Sequence, residues 1–150
     1  MITPKSASVY DIAGNDASTI AQGNNSVVLK DQTAPTITSV SLASDNSTIA
    51  VTFSEAVYNT NSGSGALEAN DFSLGLSNST SGTTGVLSSN TPSSIAADGN
   101  IYTLGIGYST PSKGGDTLYV RYLDNSIYDA ADIEAEFIAG DVRYFAILND

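Results

Sequence analysis

Histidine, cysteine and tryptophan are all absent from this chain of 150 residues, and Lys and Arg together number only 5. Without histidine there is no Ser-His-Asp or Cys-His arrangement, no imidazole zinc site, and no side chain whose unperturbed pKa lies near neutrality. Without cysteine no disulfide framework exists, so packing alone must hold the fold and thiols give no hint of redox compartment. The scarcity of cations against 16 acidic residues leaves a net charge of −11, which repels phosphate backbones and anionic lipid head groups. Nucleic-acid and membrane-surface binding are both disfavoured on that ground. No apolar run approaches the ~20 residues that span a bilayer, so membrane insertion is not expected. Met1-Ile2-Thr3-Pro4-Lys5 opens without a signal-peptide core, and Met1 reads as an added start.

What is present is a stock of carboxylates, amides, hydroxyls and eight tyrosines. Oxygen donors of this kind suit a hard cation. A hydrophobic share of 41% is enough to fill one core in a chain of this length, so one domain is expected rather than disorder.

The chain also repeats itself. Ser8-Val9-Tyr10-Asp11-Ile12-Ala13-Gly14-Asn15 returns as Ser126-Ile127-Tyr128-Asp129-Ala130-Ala131-Asp132-Ile133, and each copy is followed by a polar stretch and a closing strand, Val27 to Asp31 and Ala146 to Asp150. One full repeat thus separates Tyr10 from Tyr128, with the tail of a preceding one before it. The organisation expected is residues 1–30 as the last hairpin of a preceding repeat, and residues 31–150 as one repeat. An unpaired hairpin strand is adhesive, so residues 8–31 are expected to pair with an edge of this domain or of another copy.

Asp31-Gln32-Thr33-Ala34-Pro35 has the character of a joint, because proline fixes its own backbone and pushes Ala34 toward an extended form. Apolar and polar residues then alternate over 36–42 and 48–53, and again over 71–76, 101–106, 117–123 and 144–148, with a weaker run at 84–88. Turns rich in Gly, Asn, Ser and Pro separate them. The fold class expected is all-β, an immunoglobulin-like β-sandwich of about seven antiparallel strands. Helix is limited to one or two turns at 65–69 and 130–136.

The joint Asp31 to Pro35, the strand end Val51-Thr52-Phe53-Ser54-Glu55-Ala56-Val57-Tyr58, the tripeptide Asn70-Asp71-Phe72 and the run Ile127-Tyr128-Asp129-Ala130-Ala131 resemble bacterial Ig-like (Big-type) repeats. These repeats occur in very long secreted or surface-attached proteins. The resemblance covers residues 31–150 and the leading fragment. It implies a module strung with others in an adhesin or beside a secreted enzyme, and calcium at or near the joints. The second copy departs from the usual form at Ala131-Asp132-Ile133 and continues into Glu134-Ala135-Glu136, as a terminal repeat would.

Asp31 lies in the joint, Glu55 just beyond a strand end, and Asp129 and Asp132 in a loop after another strand. With backbone carbonyls and water, these four carboxylates could supply the six to eight oxygens calcium takes. Taken singly, each reads more readily as a solvated loop acid or turn cap. The spacing at 129–132 is not that of an EF-hand loop.

Other readings are weaker. Tyr119 and Arg121 share one strand face, Val120 and Tyr122 the other, so one face must be core. Tyrosine faces could stack on sugars, but such tyrosines also serve as cross-strand packing partners. Glu55, Glu68, Asp71 and Asp116 could be combined into a carboxylate pair for glycoside hydrolysis, yet no spacing selects one. Three Asn-x-Ser/Thr matches are chance in so Asn-, Ser- and Thr-rich a chain. Lys5, Lys30 and Lys113 lie in loop or joint positions, which argues against isopeptide cross-links.

The function expected is therefore non-catalytic: a structural module of a repetitive extracellular or cell-surface protein, stiffened by calcium, with neighbouring Ig-like repeats or other copies of the same chain as partners. The alternatives are a carbohydrate- or surface-binding module, with glycan as partner, and a filament subunit that assembles through its N-terminal segment.

Overall fold

A computed structural model of the chain describes residues 9–16, 31–77, 85–111, 115–136 and 144–149. The chain divides into two compact units, Met1–Asp31 and Gln32–Asp150. In the smaller unit the described residues 9–16 form one tight loop closed by a bridge between Tyr10 and Asp16. The expected pairing of residues 8–31 falls largely on 17–30, which lie outside the described residues.

The larger unit is built of short antiparallel strands. Alternation of β-branched and aromatic residues with Ser and Thr favours a pleated surface with one buried face. The strands are β1 (Ile37–Leu42), β2 (Thr48–Phe53), β3 (Phe72–Ser77), β4 (Val86–Leu87), β5 (Ile95–Asp98), β6 (Ile101–Gly105), β7 (Tyr108–Thr110), β8 (Thr117–Tyr122) and β9 (Phe145–Ile147). One sheet has the order β1-β2-β6-β5, a second β3-β8-β9, and β4 pairs with β7 in a small ribbon. Leaving that ribbon aside, seven strands fall into the four-plus-three pattern, first-second-fifth-fourth and third-sixth-seventh, of an immunoglobulin-like sandwich.

Burial follows the pleat. In β2 and β8 every second residue is buried, Ile49, Val51 and Phe53 in one, Leu118, Val120 and Tyr122 in the other. The core face of β8 is therefore that of Val120 and Tyr122, and Tyr119 and Arg121 point outward. Phe53 sits at the centre of the core, its ring 5.8 Å from that of Tyr102 edge-on and 6.4 Å from those of Phe72 and Tyr122. Offset and edge-to-face contacts of this kind add to area burial, and truncating such a residue to alanine costs about 3–5 kcal/mol.

Among the described residues nine strands stand where about seven were expected. The extra ones are short: β7 has three residues, and β5, read beforehand as the start of a turn at Ala97, has four, three of them exposed. A strand at a sheet edge with little to bury carries no alternation to read. Neither helix candidate forms one. The only helical turn among the described residues is a 3₁₀ turn at Ala69–Asp71, where the Glu68 N–H donates to Asp71 Oδ2 at 2.7 Å, and 130–136 is a closed loop.

Candidate metal centre

Three backbone devices place the carboxylates. The Ser54 N–H donates to the Thr36 carbonyl at 2.8 Å and the Thr36 N–H to Ser54 Oγ at 3.1 Å. That clamp fixes the start of β1, with the buried Pro35 behind it, against the end of β2. Beyond β2, Tyr58 pairs with Tyr128 through two backbone hydrogen bonds of 2.8 Å each, which brings the segment carrying Glu55 alongside the one carrying Asp129. Finally, the loop after Tyr128 folds back on itself: Tyr128 bridges Glu134, the Asp129 N–H donates to the Ile133 carbonyl at 2.9 Å and the Ala135 N–H to the Ile127 carbonyl at 2.9 Å.

Inside that loop Asp129 turns its carboxylate to its own backbone. Oδ1 accepts the N–H groups of Ala131 and Ile133, both at 2.7 Å. Such side-chain to backbone bonds hold a loop as a helix cap holds a helix. Asp129 retains only 1% of its surface accessible, and among the described residues its Oδ2 has no hydrogen-bond partner. An ionised oxygen left alone in a buried position is costly and calls for a positive partner.

Two further carboxylates lie beside it instead, those of half-buried Glu55 and of exposed Asp31, the residue before Gln32. One carboxylate oxygen from each of Asp31, Glu55 and Asp129 lies within 4.8 Å of the others. Three carboxylates this close repel one another unless a cation sits among them, and all-oxygen donors suit a hard divalent ion. The triad can hold a metal ion.

Of the four carboxylates singled out in the sequence, three come together. Asp132 is not one of them: it is exposed at the tip of the loop, where its backbone turns left-handed at φ 71°. The acids weighed for catalysis have structural partners of their own. Asp116 is buried and its Oδ2 accepts the Gly85 N–H at 3.1 Å, while Asp71 caps the 3₁₀ turn and burial raises its pKa.

Sequence reading passed over Ser54, whose clamp was hidden in the Phe-Ser-Glu strand end, and Gly63. The turn containing Gly63 packs on the Asp129 loop so closely that a Cβ there would stand 3.2 Å from Ala130 Cα. Glycine meets both that close approach and the φ of 61° without strain.

The repeated hairpin is repeated in geometry as well. Around Asp11, Oδ1 accepts the N–H groups of Ala13 and Asn15, both at 2.9 Å, the Asp11 N–H donates to the Asn15 carbonyl at 3.0 Å, and Tyr10 bridges Asp16. Each of these has its counterpart at Asp129, and Gly14, at φ 83°, stands where Asp132 does. Compared with family models, with curated proteins and with solved structures, the chain matches none.

Proposed function

We propose that the chain is a structural, non-catalytic module of a repetitive extracellular or cell-surface protein, an Ig-like extender of the Big type whose joint is stiffened by calcium. The observation that carries this reading is the loop hydrogen-bonded in the same way at Asp11 and Asp129, which in its second occurrence leaves a buried carboxylate oxygen unpartnered beside two further carboxylates. A cation held by Asp31, Glu55 and Asp129 ties the joint segment 31–35 to the sandwich and so limits bending where one repeat follows another. Without histidine or cysteine, acid–base and nucleophilic chemistry near neutral pH has few residues to run on. The surplus of acidic residues keeps an array soluble, and salt screens its self-repulsion. No helix among the described residues is long and apolar enough to cross a membrane.

Thermal unfolding with calcium and with a chelator tests the reading. A ligand that binds only the folded state raises stability by about 2.7 kcal/mol at a hundred times its dissociation constant. A melting temperature indifferent to calcium, manganese and chelator would remove the metal from the account.

A second reading, a glycan-binding module, has one observation in its favour. On the outward face of β3-β8-β9, the rings of Tyr119 and Phe145 lie 6.2 Å apart, Phe145 and Ile147 are 50% and 63% exposed, and Gly75 leaves open space opposite Tyr119. Binding of the isolated chain to a glycan array, lost in Phe145→Ala, would favour it over the extender. The filament reading depends on residues outside the described ones and gains nothing here.

A further inference from the structure

The two copies of the loop differ, among other positions, at the residue whose side chain meets the second carboxylate oxygen of Asp11. Around Asp11, the side-chain amide of Asn15 donates to Oδ2 at 2.8 Å, so both oxygens of Asp11 are occupied by the chain itself. That bond is the main reason the Asp11 carboxyl titrates below the usual range. The residue in the corresponding place of the other loop is Ile133. Its backbone N–H still donates to Oδ1 at 2.7 Å, as Asn15 does, but its side chain has nothing to donate. Asp129 Oδ2 is accordingly buried without a hydrogen-bond partner among the described residues.

We propose that residue 133 sets whether this loop takes a cation: Ile133 leaves Asp129 Oδ2 open to a divalent ion, and an asparagine there would close it as Asn15 closes Asp11. The proposal rests on the cation reading above and deepens it to a residue that touches no ligand. Three features support the transfer from one loop to the other. Both carboxylates accept from the second and fourth following N–H groups, both loops carry the same bridge at their ends, and both turn left-handed at the residue before the one in question. A side chain at 133 therefore leaves the backbone from the same geometry as at 15. The amide competes with the ion for one lone-pair region, and it does so from within the chain, without the entropy of bringing in a separate donor.

The experiment uses the full chain in three forms, unaltered, Ile133→Asn and Ile133→Leu, titrated with calcium chloride by calorimetry. The unaltered chain and Ile133→Leu should bind alike, and Ile133→Asn should bind on the order of tenfold more weakly or not measurably. In the calcium-free state, NMR of Ile133→Asn should show the introduced side-chain amide protected and hydrogen-bonded to the Asp129 carboxylate. Ile133→Thr, with a shorter donor, should fall between, and keeps the ranking measurable should the asparagine variant fold poorly. Equal calcium affinity in Ile133→Asn and the unaltered chain, or an introduced amide that exchanges freely, overturns the proposal. An unaltered chain that takes no calcium overturns the cation reading and the proposal together, and is told apart because it shows before any substitution is made.

Discussion

Tyr58 and Tyr128 exchange both of their backbone hydrogen bonds, each 2.8 Å long, although neither belongs to a strand of the two main sheets. Their pairing links the exit of β2 to the exit of β8. Glu55 and Asp129 thus face each other because main chain is tied to main chain, and the acidic pair persists whatever the charges prefer. The Tyr102 hydroxyl, donating to the Val57 carbonyl at 3.3 Å, steadies the same segment from within the core. A site assembled by backbone in this way should survive loss of its charges, which separates binding from folding in the variants below.

Asp129→Asn keeps an oxygen able to accept from Ala131 and Ile133 and removes the charge. It is expected to abolish calcium binding while changing calcium-free stability by about 1 kcal/mol or less. Asp129→Ala removes the acceptor too, leaves both N–H groups without it, and should cost about 1–3 kcal/mol. Urea unfolding in chelator, alongside calcium calorimetry, checks the pair; equal stability loss in both would mean that Oδ1 contributes nothing to the loop.

Gly63→Ala is expected to act at a distance. The new methyl would meet Ala130 Cα at 3.2 Å and its carbonyl oxygen at 3.3 Å, and the left-handed backbone adds its own cost. Together these should destabilise the chain by about 1–3 kcal/mol. Because Ala130 is the residue after Asp129, calcium affinity should drop as well. A stability loss with affinity unchanged would show that the turn packs on the loop without setting it.

The sandwich was legible in the sequence because its long strands each bury one face. The runs at 36–42, 48–53 and 117–123 match β1, β2 and β8 to within a residue at either end, since Ile49, Val51, Phe53, Leu118, Val120 and Tyr122 repeat at the period of the pleat. β5 and β7 were not legible, because they pair at sheet margins with mostly exposed side chains. Carboxylates near element ends were visible, but which of them meet depends on the Tyr58 to Tyr128 pairing, a contact distant in sequence that no local pattern encodes. Asp132, acidic and near Asp129, stands outside the converging triad, at the left-handed position that Gly14 fills in the first loop.

High pH should weaken the fold in a defined window. Burial raises the Tyr102 phenol above its ordinary value, with Tyr58 nearby adding to it, and burial together with the Asp116 carboxylate raises Tyr108. The neutral phenol is thus favoured in the folded state. Stability from this source is complete below the unfolded tyrosine value of about 10 and is lost as pH climbs from there through the raised folded values. Denaturation midpoints should hold steady up to about pH 9.5 and fall above it, and Tyr108→Phe should reduce the slope. A slope unchanged in that variant would assign the alkaline loss elsewhere.

Asp132 offers a test in which stability and binding are expected to part company. Its φ of 71° is a conformation that side chains with a Cβ adopt at a cost of roughly 1–2 kcal/mol, less for Asp and Asn, and that glycine adopts freely. Asp132→Gly, the residue found at the same place in the first loop, should leave stability unchanged or raise it by up to about 1 kcal/mol, because relief of strain is partly offset by the greater freedom of glycine when unfolded. Asp132→Ala should be less stable than Asp132→Gly by about 1 kcal/mol. Since the carboxylates that converge are those of Asp31, Glu55 and Asp129, calcium affinity should be nearly the same in both variants as in the unaltered chain, apart from a small long-range loss of negative charge. A drop of tenfold or more in either variant would place the Asp132 carboxylate in the ion's coordination shell and require the loop to reshape when calcium enters.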